Sequence, residues 1–230
     1  MLERFLSLDF RRRRLLRNCP SGPLHDYLAT PFPAPRSDCR ETVFIALDLE
    51  TSGLDPQHDT IISLGWVAMR GLAIDLSTAS HRLVRQQQAI PEASAVIHRI
   101  TDDRAATGGE LEAALTELLP LLAGRVLIAH NAKIEQGFLD TACRHLLGGP
   151  FLAPIIDTCY LARRWHDRRN RHYRSGDLRL GNLRTRYNLP QYRAHDALSD
   201  ALACAELFAA QLAERGDGGK LPLKDFLLPA

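Results

Sequence analysis

The segment FIALDLETSGLD, residues 44–55, constrains the fold most, because an apolar run ends there in two carboxylates. Side chains alternate faces along a strand, so Asp48 and Glu50 point to one face, while Leu47 and Leu49 point to the other. Carboxylates side by side repel each other, and burying them unpaired is costly. An Arg or Lys pair, a shared proton or a metal ion would neutralise them, and oxygen-only ligands favour Mg²⁺ or Mn²⁺. The alternative is that both are solvated residues at a strand end.

The patterns that follow predict the architecture. Three strand-like runs with short connections indicate an antiparallel meander, and helical patterns then alternate with two short buried strands. A helix over ELEAALTELLPLLAG is expected to stop at Gly124. We therefore predict an α/β domain, with a mixed sheet of an antiparallel meander plus parallel strands flanked by helices. The strand-like segments are VFIALDLE, IISLGWVAMRG, LAIDLSTASHRLVR, RVLIAHN and APIID.

Length and composition fit a soluble protein with one main domain. The chain has 230 residues, of which 45% are hydrophobic and 24% charged. No apolar run reaches the roughly 18 residues that would span a membrane. The five cysteines are odd in number and show no zinc-site spacing, which favours free thiols and a cytoplasmic location.

The chain divides into three parts by its pattern. Residues 1–41 form a basic N-terminal helix, over about residues 1–18, and a Pro-rich linker; residues 42–213 form the main domain; residues 214–230 form a C-terminal tail. The first 40 residues contain eight Arg and four acids. Such a basic extension suits either a protein partner or the backbone of a nucleic acid, and the pattern leaves both open.

A second basic segment lies near the end of the main domain. Residues 163–193 contain ten Arg and two Asp, interleaved with Trp, His and Tyr. Arginine with aromatic rings is the composition of a groove for phosphates and unstacked bases, although a solvated Arg-rich loop has the same composition.

Further acidic and imidazole side chains follow predicted strand and helix ends. The strand RVLIAHN ends in His130 and Asn131, and Glu135 lies in the first turn of the next helix, where the helix dipole also favours an acid. His195 precedes Asp200 by five residues. Five residues rotate a helix by about 140° net, so the two share a face only if His195 lies before the helix or in its frayed first turn.

The order of five motifs resembles the DEDDh branch of the DnaQ-like 3′–5′ exonucleases, the family of the proofreading subunit of bacterial replicative DNA polymerase. The resemblance covers about residues 42–213 and implies a ribonuclease H-like fold. The motifs are DLETSGLDPQHDTIISLGWV, IPEASAVIHRIT, VLIAHNAKIEQGFL, IIDTCYLARR and HDALSDALACAELF.

The resemblance implies a catalytic set. It makes Asp48, Glu50, Glu135 and Asp200 ligands of two Mg²⁺ or Mn²⁺ ions, and it makes His195 the general base. Glu135 departs from the pattern, because the family has Asp at this position. The extra methylene extends the carboxylate, so we expect a small recession of the helix to keep the site active; a weakened site is the alternative.

The resemblance also implies substrate contacts. Thr51 would face the terminal 3′-OH, and Leu54 would pack on the terminal base. His130 and Asn131 would order the site, or else only cap a buried strand. Two nearby residues are expected to be structural, His98 as a packing residue and Asp157 as a helix N-cap.

The predicted function is metal-dependent release of nucleotides from a single-stranded or frayed 3′ end of DNA. The alternatives are an exoribonuclease of the RNase T or oligoribonuclease type and a nucleic-acid-binding or partner-docking module with a drifted site. The catalytic residues do not separate DNA from RNA, because tolerance of the 2′-OH depends on pocket shape.

Overall fold

The computed structural model describes residues 7–98, 100–215 and 219–229. Its strands are β1 Val43–Thr51, β2 Ile61–Arg70, β3 Ala73–Leu83, β4 Val126–Ala129 and β5 Ile155–Asp157. Its α-helices are α1 Leu8–Asn18, α2 Pro23–Ala29, α3 Glu92–His98, α4 Asp102–Ala106, α5 Leu111–Leu122, α6 Lys133–Leu146, α7 Thr158–Arg168, α8 Leu180–Arg186 and α9 Ala197–Ala213.

The five strands form one sheet in the order β3-β2-β1-β4-β5. The β1–β2 and β2–β3 pairs are antiparallel, whereas β1–β4 and β4–β5 are parallel. The predicted mixed sheet is therefore confirmed, with the meander and the parallel strands joined at β1. The helix predicted to stop at Gly124 ends at Leu122, and Gly124 adopts φ +68°, a left-handed value that glycine accepts without steric strain.

The side chains of β1 divide between two hydrophobic cores. Leu47 and Leu49 belong to the core shared with α2, α5 and α6. Ala46 belongs to the core on the opposite face, where α9 packs. Because alternate residues share a face, Asp48 and Glu50 lie on the α9 side of the sheet. The predicted separation of the leucines from the carboxylates follows from this alternation.

A glycine lets α9 approach the sheet closely. Gly65 on β2 is the register partner of Asp48 on β1. A Cβ atom at Gly65 would lie 2.2 Å from the carbonyl carbon of Ala197 and 2.2 Å from the amide nitrogen of Leu198. The first turn of α9 therefore packs directly against the sheet, next to the end of β1 that carries Asp48 and Glu50.

The N-terminal helix is held by a buried arginine. Arg12 is 3% exposed, and its guanidinium donates to the carbonyl of Leu28 at the end of α2. It also donates to Asp9 across 2.8 Å. The N-terminal helix, predicted over about residues 1–18, begins at Leu8 in the structure. Residues 1–6 lie outside the described ranges.

Residues 219–229 pack onto the main domain. Leu223 and Phe226 are buried in the core beside Phe208. The carbonyl of Leu221 accepts the Cys39 N–H at 2.9 Å, which ties the end of the chain to the segment before β1.

Two expectations from composition concern membrane spans and thiols. Among the helices of the described residues, none is both long and apolar enough to cross a membrane. All five cysteines have free thiols.

Candidate active site

Three carboxylates meet where β1 ends and α9 begins. Asp48, Glu50 and Asp200 each offer an oxygen, and these atoms all lie within 4.8 Å of one another. Glu50 is buried and the other two are partly buried. The close approach of α9 at Gly65 brings Asp200 to the two carboxylates of β1. The structure therefore assembles three of the four predicted metal ligands into one oxygen-only cluster.

The fourth predicted ligand is buried next to this cluster. Glu135 is 3% exposed and lies in the first turn of α6. Its Oε2 atom and the Oε1 atom of Glu50 are buried, and neither has a hydrogen-bond partner among the described residues. A buried anionic oxygen without a donor is costly, and a divalent cation would remove that cost. The donor set therefore fits a hard divalent metal ion.

Crowding of these acids changes how they titrate. Burial, followed by the negative charges of Glu135, Glu50 and Asp200, raises the pKa of Asp48 well above its ordinary value. Burial raises the pKa of Glu135 to about 8. Burial also raises the pKa of Asp200, although the hydrogen bond from the His195 backbone opposes the shift. Without a cation, the cluster therefore retains protons near neutral pH.

We expect metal ions to stabilise the protein more at alkaline pH. Glu135 has an ordinary pKa of 4.5 and a folded pKa of about 8. Between these values the folded state holds a proton that the unfolded state releases, so metal-free stability falls as the pH rises from about 4.5 to about 8. Bound metal requires deprotonated ligands, so the rise in Tm on adding Mg²⁺ or Mn²⁺ should be larger at about pH 8.5 than at about pH 5.5.

Thermal melts in EDTA and in metal across this range check the expectation. The variant Glu135→Gln removes this titration and should make the metal-free profile less steep, while the raised pKa values of Asp48 and Asp200 keep part of the slope. A metal-free Tm of the native protein that is constant from pH 5 to pH 8 would contradict the assigned shift.

His195 lies just before α9, as its spacing from Asp200 requires. It adopts φ +66°, and its backbone N–H donates to Oδ2 of Asp200 across 2.7 Å. Asp196 is the N-cap of α9 and accepts the Ser199 N–H at 2.9 Å. The His195 side chain is exposed and lines the cavity that contains the carboxylates. The left-handed turn therefore orients Asp200 and presents the imidazole to the same cavity.

His98 makes a contact that the sequence did not predict. Its Nδ1 atom lies against a carboxylate oxygen of Glu50, and its ring centroid is 6.0 Å from that of His195. The sequence predicted only packing near the site. Its place in the motif IPEASAVIHRIT was the available signal, but the contact depends on how α3 folds back over β1.

Asp157 is an N-cap, as predicted, and it also orders the neighbouring turn. Its carboxylate accepts from two N–H groups at the start of α7, at 2.9 and 3.2 Å. It also accepts the N–H groups of Asn131 at 3.1 Å and Ala132 at 3.2 Å. Asn131 adopts φ +67° there. Asp157 thereby fixes the turn between β4 and α6 that places Glu135.

His130 lines the cavity, but both of its ring nitrogens bind the protein. Nε2 lies 3.0 Å from the Leu178 carbonyl, and Nδ1 lies 2.8 Å from the Thr158 hydroxyl. A carbonyl only accepts, so Nε2 carries the proton and Nδ1 accepts from Thr158. Burial lowers the pKa of His130, which favours this neutral form. The structure therefore gives His130 a supporting role in the cavity wall.

The loop after β1 shapes the cavity rim. The Thr51 hydroxyl donates to the Gly53 carbonyl across 2.6 Å, and Ser94 donates to the Thr51 carbonyl across 2.9 Å. Leu54 is 77% exposed and lines the cavity. The loop therefore holds Thr51 in a buried position and leaves the apolar side chain of Leu54 accessible to a ligand.

The cavity extends well beyond the carboxylates. Its volume is about 1190 Å³. Besides the carboxylates, its lining includes side chains from the segments around α7 and α8. These include Arg163, Tyr173, Arg179 and Tyr192. A single cavity thus contains a metal-binding cluster together with basic and aromatic side chains.

Comparisons with known proteins agree with this geometry. The family model described as RNase_T, exonuclease, matches residues 45–208. The DNA polymerase III subunit epsilon of Treponema pallidum is 31% identical over 172 residues, which cover 74% of this chain and 76% of that protein. The PolC-type DNA polymerase III of Thermotoga maritima is 33% identical over 168 residues. That match covers 73% of this chain, which spans only 12% of the length of the polymerase.

A solved structure has the same fold. It is the zinc-bound complex of E. coli ExoI with single-stranded DNA, with a TM-score of 0.66 and 16% identity. The match covers 77% of this chain and 42% of that chain. The family model covers more than half of the chain, and the epsilon subunit matches over most of both lengths. The chain therefore belongs to the DnaQ-like exonuclease family, whose members hydrolyse phosphodiester bonds.

Proposed function

We propose that this protein removes nucleotides one at a time from the 3′ end of DNA, with two Mg²⁺ or Mn²⁺ ions as cofactors. The observation that carries the proposal is the oxygen-only cluster of Asp48, Glu50 and Asp200 inside a cavity that is also lined by basic and aromatic side chains. The similarity to a DNA polymerase epsilon subunit and to an exonuclease solved with single-stranded DNA supports DNA as the substrate.

The acids and His195 divide the chemistry in this proposal. Asp48, Glu50, Glu135 and Asp200 hold the ions through oxygens. When bound, such ions neutralise charge on the phosphate and make a nearby water more acidic. The imidazole of His195 accepts the proton of the attacking water, because it is exposed, lines the cavity and has a ring nitrogen within 4.8 Å of a carboxylate oxygen of Glu50.

The residues around the acids position the terminal nucleotide. Thr51 faces its 3′-OH, and the exposed Leu54 packs on its base. Asn131 and His130 hold the wall of the cavity through the Asp157 and Thr158 contacts described above. These contacts involve the sugar, the base plane and the backbone, so we expect little dependence on base identity.

The preceding nucleotides contact the basic and aromatic side chains of the cavity in this proposal. Arg163 and Arg179 would bind phosphates, and Tyr173 would stack on a base. Arg184 is excluded from this role, because it is 1% exposed and donates to Ala203 O and Glu206 within the fold. The basic segment 163–193 therefore contributes Arg163 and Arg179 rather than all ten arginines.

Substitutions of Glu135 test whether this glutamate, which is longer than the family's aspartate, belongs to an active catalytic site. We expect Glu135→Gln to lower the exonuclease rate by about 10²-fold, because it removes a charged ligand. Glu135→Asp should also lower the rate, since the position of α6 suits the longer side chain. Rates are measured at saturating Mg²⁺ and again at saturating Mn²⁺, whose coordination is less demanding. A gain of activity in Glu135→Asp would show instead that the native site is weakened.

The choice between DNA and RNA is tested with matched oligonucleotides of one sequence. We expect the ratio of kcat/KM for single-stranded DNA to that for RNA to exceed one in Mg²⁺. A ratio below one would favour the exoribonuclease alternative. Binding of the strand without nucleotide release in either metal would favour a binding module with a drifted site.

A further inference from the structure

We propose that the groove between α1 and α6 binds backbone phosphates of the nucleic acid outside the active-site cavity. The inference rests on the proposed function, because it extends the same substrate beyond the catalytic site. It assigns a role to the basic N-terminal helix, which lies outside residues 45–208 that match the family model.

The groove is basic, and its unpaired positive charge comes from Arg11 and Lys133. It has a volume of about 560 Å³ and is lined by Arg11, Arg14, Lys133 and Arg144. Asp140 is the one acid among the described lining residues. Its carboxylate already binds Arg144 across 2.8 Å and accepts a backbone N–H at 2.9 Å. Arg11 and Lys133 have no carboxylate partner among the described residues, so the groove attracts anions.

The orientation of α1 is fixed, so this face is a defined surface. Arg12 points inward and binds the carbonyl of Leu28, where it is buried. Because side chains on a helix are separated by about 100°, this contact determines where the neighbouring arginines point. Arg11 and Arg14 line the groove, whereas Arg13 and Arg17 are exposed and do not line it.

Lys133 connects the groove to the active site. It is the first residue of α6, where the helix dipole disfavours a cation. The next two residues, Ile134 and Glu135, line the active-site cavity. From Lys133 to Arg144 the groove follows α6 for about 16 Å at 1.5 Å per residue. That length accommodates several phosphates of a strand that reaches the carboxylates.

Nucleic acid fits the groove better than an acidic protein segment. The groove and the active-site cavity both include residues of the first turn of α6, so one polyanion can contact both. Arginine and lysine around a polyanion are the usual composition of a backbone-binding surface. An acidic peptide has no corresponding reason to end beside the active site.

The test compares two double variants of α1 that lose the same charge. Arg11→Ala/Arg14→Ala removes the groove arginines, and Arg13→Ala/Arg17→Ala removes two exposed arginines of the same helix. The Kd for a labelled single strand of about 30 nucleotides is measured in EDTA over a series of salt concentrations. Thermal melts establish that both variants fold.

We expect the groove variant to raise Kd about five- to tenfold at low salt and the control variant to raise it less than twofold. The slope of log affinity against log salt should fall by about 1.4 in the groove variant, from roughly 0.7 per lost phosphate contact on a single strand. Both variants should hydrolyse a dinucleotide at the native rate, because it does not reach the groove.

Equal weakening in the two variants, or an unchanged Kd in the groove variant, would overturn the proposal. So would binding of poly-glutamate that weakens in the groove variant while DNA binding does not. If the native protein hydrolyses no nucleic acid, yet the groove variant alone loses affinity, the result supports phosphate binding by the groove and contradicts the proposed exonuclease function.

Discussion

Asp200→Asn is expected to lower the exonuclease rate by about 10³-fold, because it removes a charged ligand from the centre of the metal cluster. The asparagine keeps an oxygen that accepts the His195 N–H, so the turn before α9 should remain. Burial and the charge of Glu50 raise the pKa of Asp200 in the native protein. Loss of this charge should therefore leave the metal-free Tm equal or higher.

The measurement is the rate of nucleotide release together with thermal melts in EDTA and in Mg²⁺. The matched control is Asp55→Asn, which replaces an exposed aspartate of the loop after β1. A rate within about tenfold of the native value would remove Asp200 from the metal site. A large fall in the metal-free Tm would mean that the variant lost activity through unfolding.

Gly65→Ala is expected to damage the site without touching a ligand. Its Cβ would lie 2.2 Å from backbone atoms of Ala197 and Leu198, which cannot rotate away as a side chain would. The start of α9 would have to move off the sheet, and His195 and Asp200 would move with it. We expect a loss of stability of about 1–3 kcal/mol, typical of overpacking, and a fall in rate of about 10²-fold.

The matched control for this prediction is Gly109→Ala, because a Cβ at Gly109 meets no atom within 4 Å. Chemical unfolding and the exonuclease rate are measured for both variants. Metal affinity, measured by titration of Mn²⁺, should fall in Gly65→Ala alone. Native activity and native metal affinity in Gly65→Ala would contradict the account of how α9 reaches the site.

Local rules of strand and helix geometry predicted how several side chains are placed at the ends of these elements. Alternation along β1 predicted that Asp48 and Glu50 share a face apart from the leucines. Helical rotation allowed His195 to share a face with Asp200 only from the loop before the helix or from its frayed first turn, and His195 lies in that loop. Asp157 followed the N-cap rule. The resemblance to the DnaQ-like exonucleases supplied the family, which the comparisons confirm. Its catalytic assignments remain proposals.

Tertiary packing decided what the sequence did not reveal. The contact between His98 and Glu50 depends on the path of α3 across the end of β1. The sequence predicted that the Arg-rich segment forms one surface, but folding buries Arg184, whereas Arg179 and Arg186 are exposed. The groove of Arg11 and Lys133 joins residues more than 120 positions apart, so no local pattern could indicate it.

Metal-dependent release of nucleotides from a 3′ end is the proposed activity of this protein. The most direct test incubates the protein with one single strand of DNA labelled at either its 3′ or its 5′ end, in Mg²⁺, Mn²⁺ or EDTA, beside Asp48→Ala. We expect immediate release of labelled mononucleotide from the 3′-labelled strand and a ladder of shortening 5′-labelled products, both lost in EDTA and in Asp48→Ala. Mononucleotide released first from the 5′ label, or release that persists in EDTA, would contradict it.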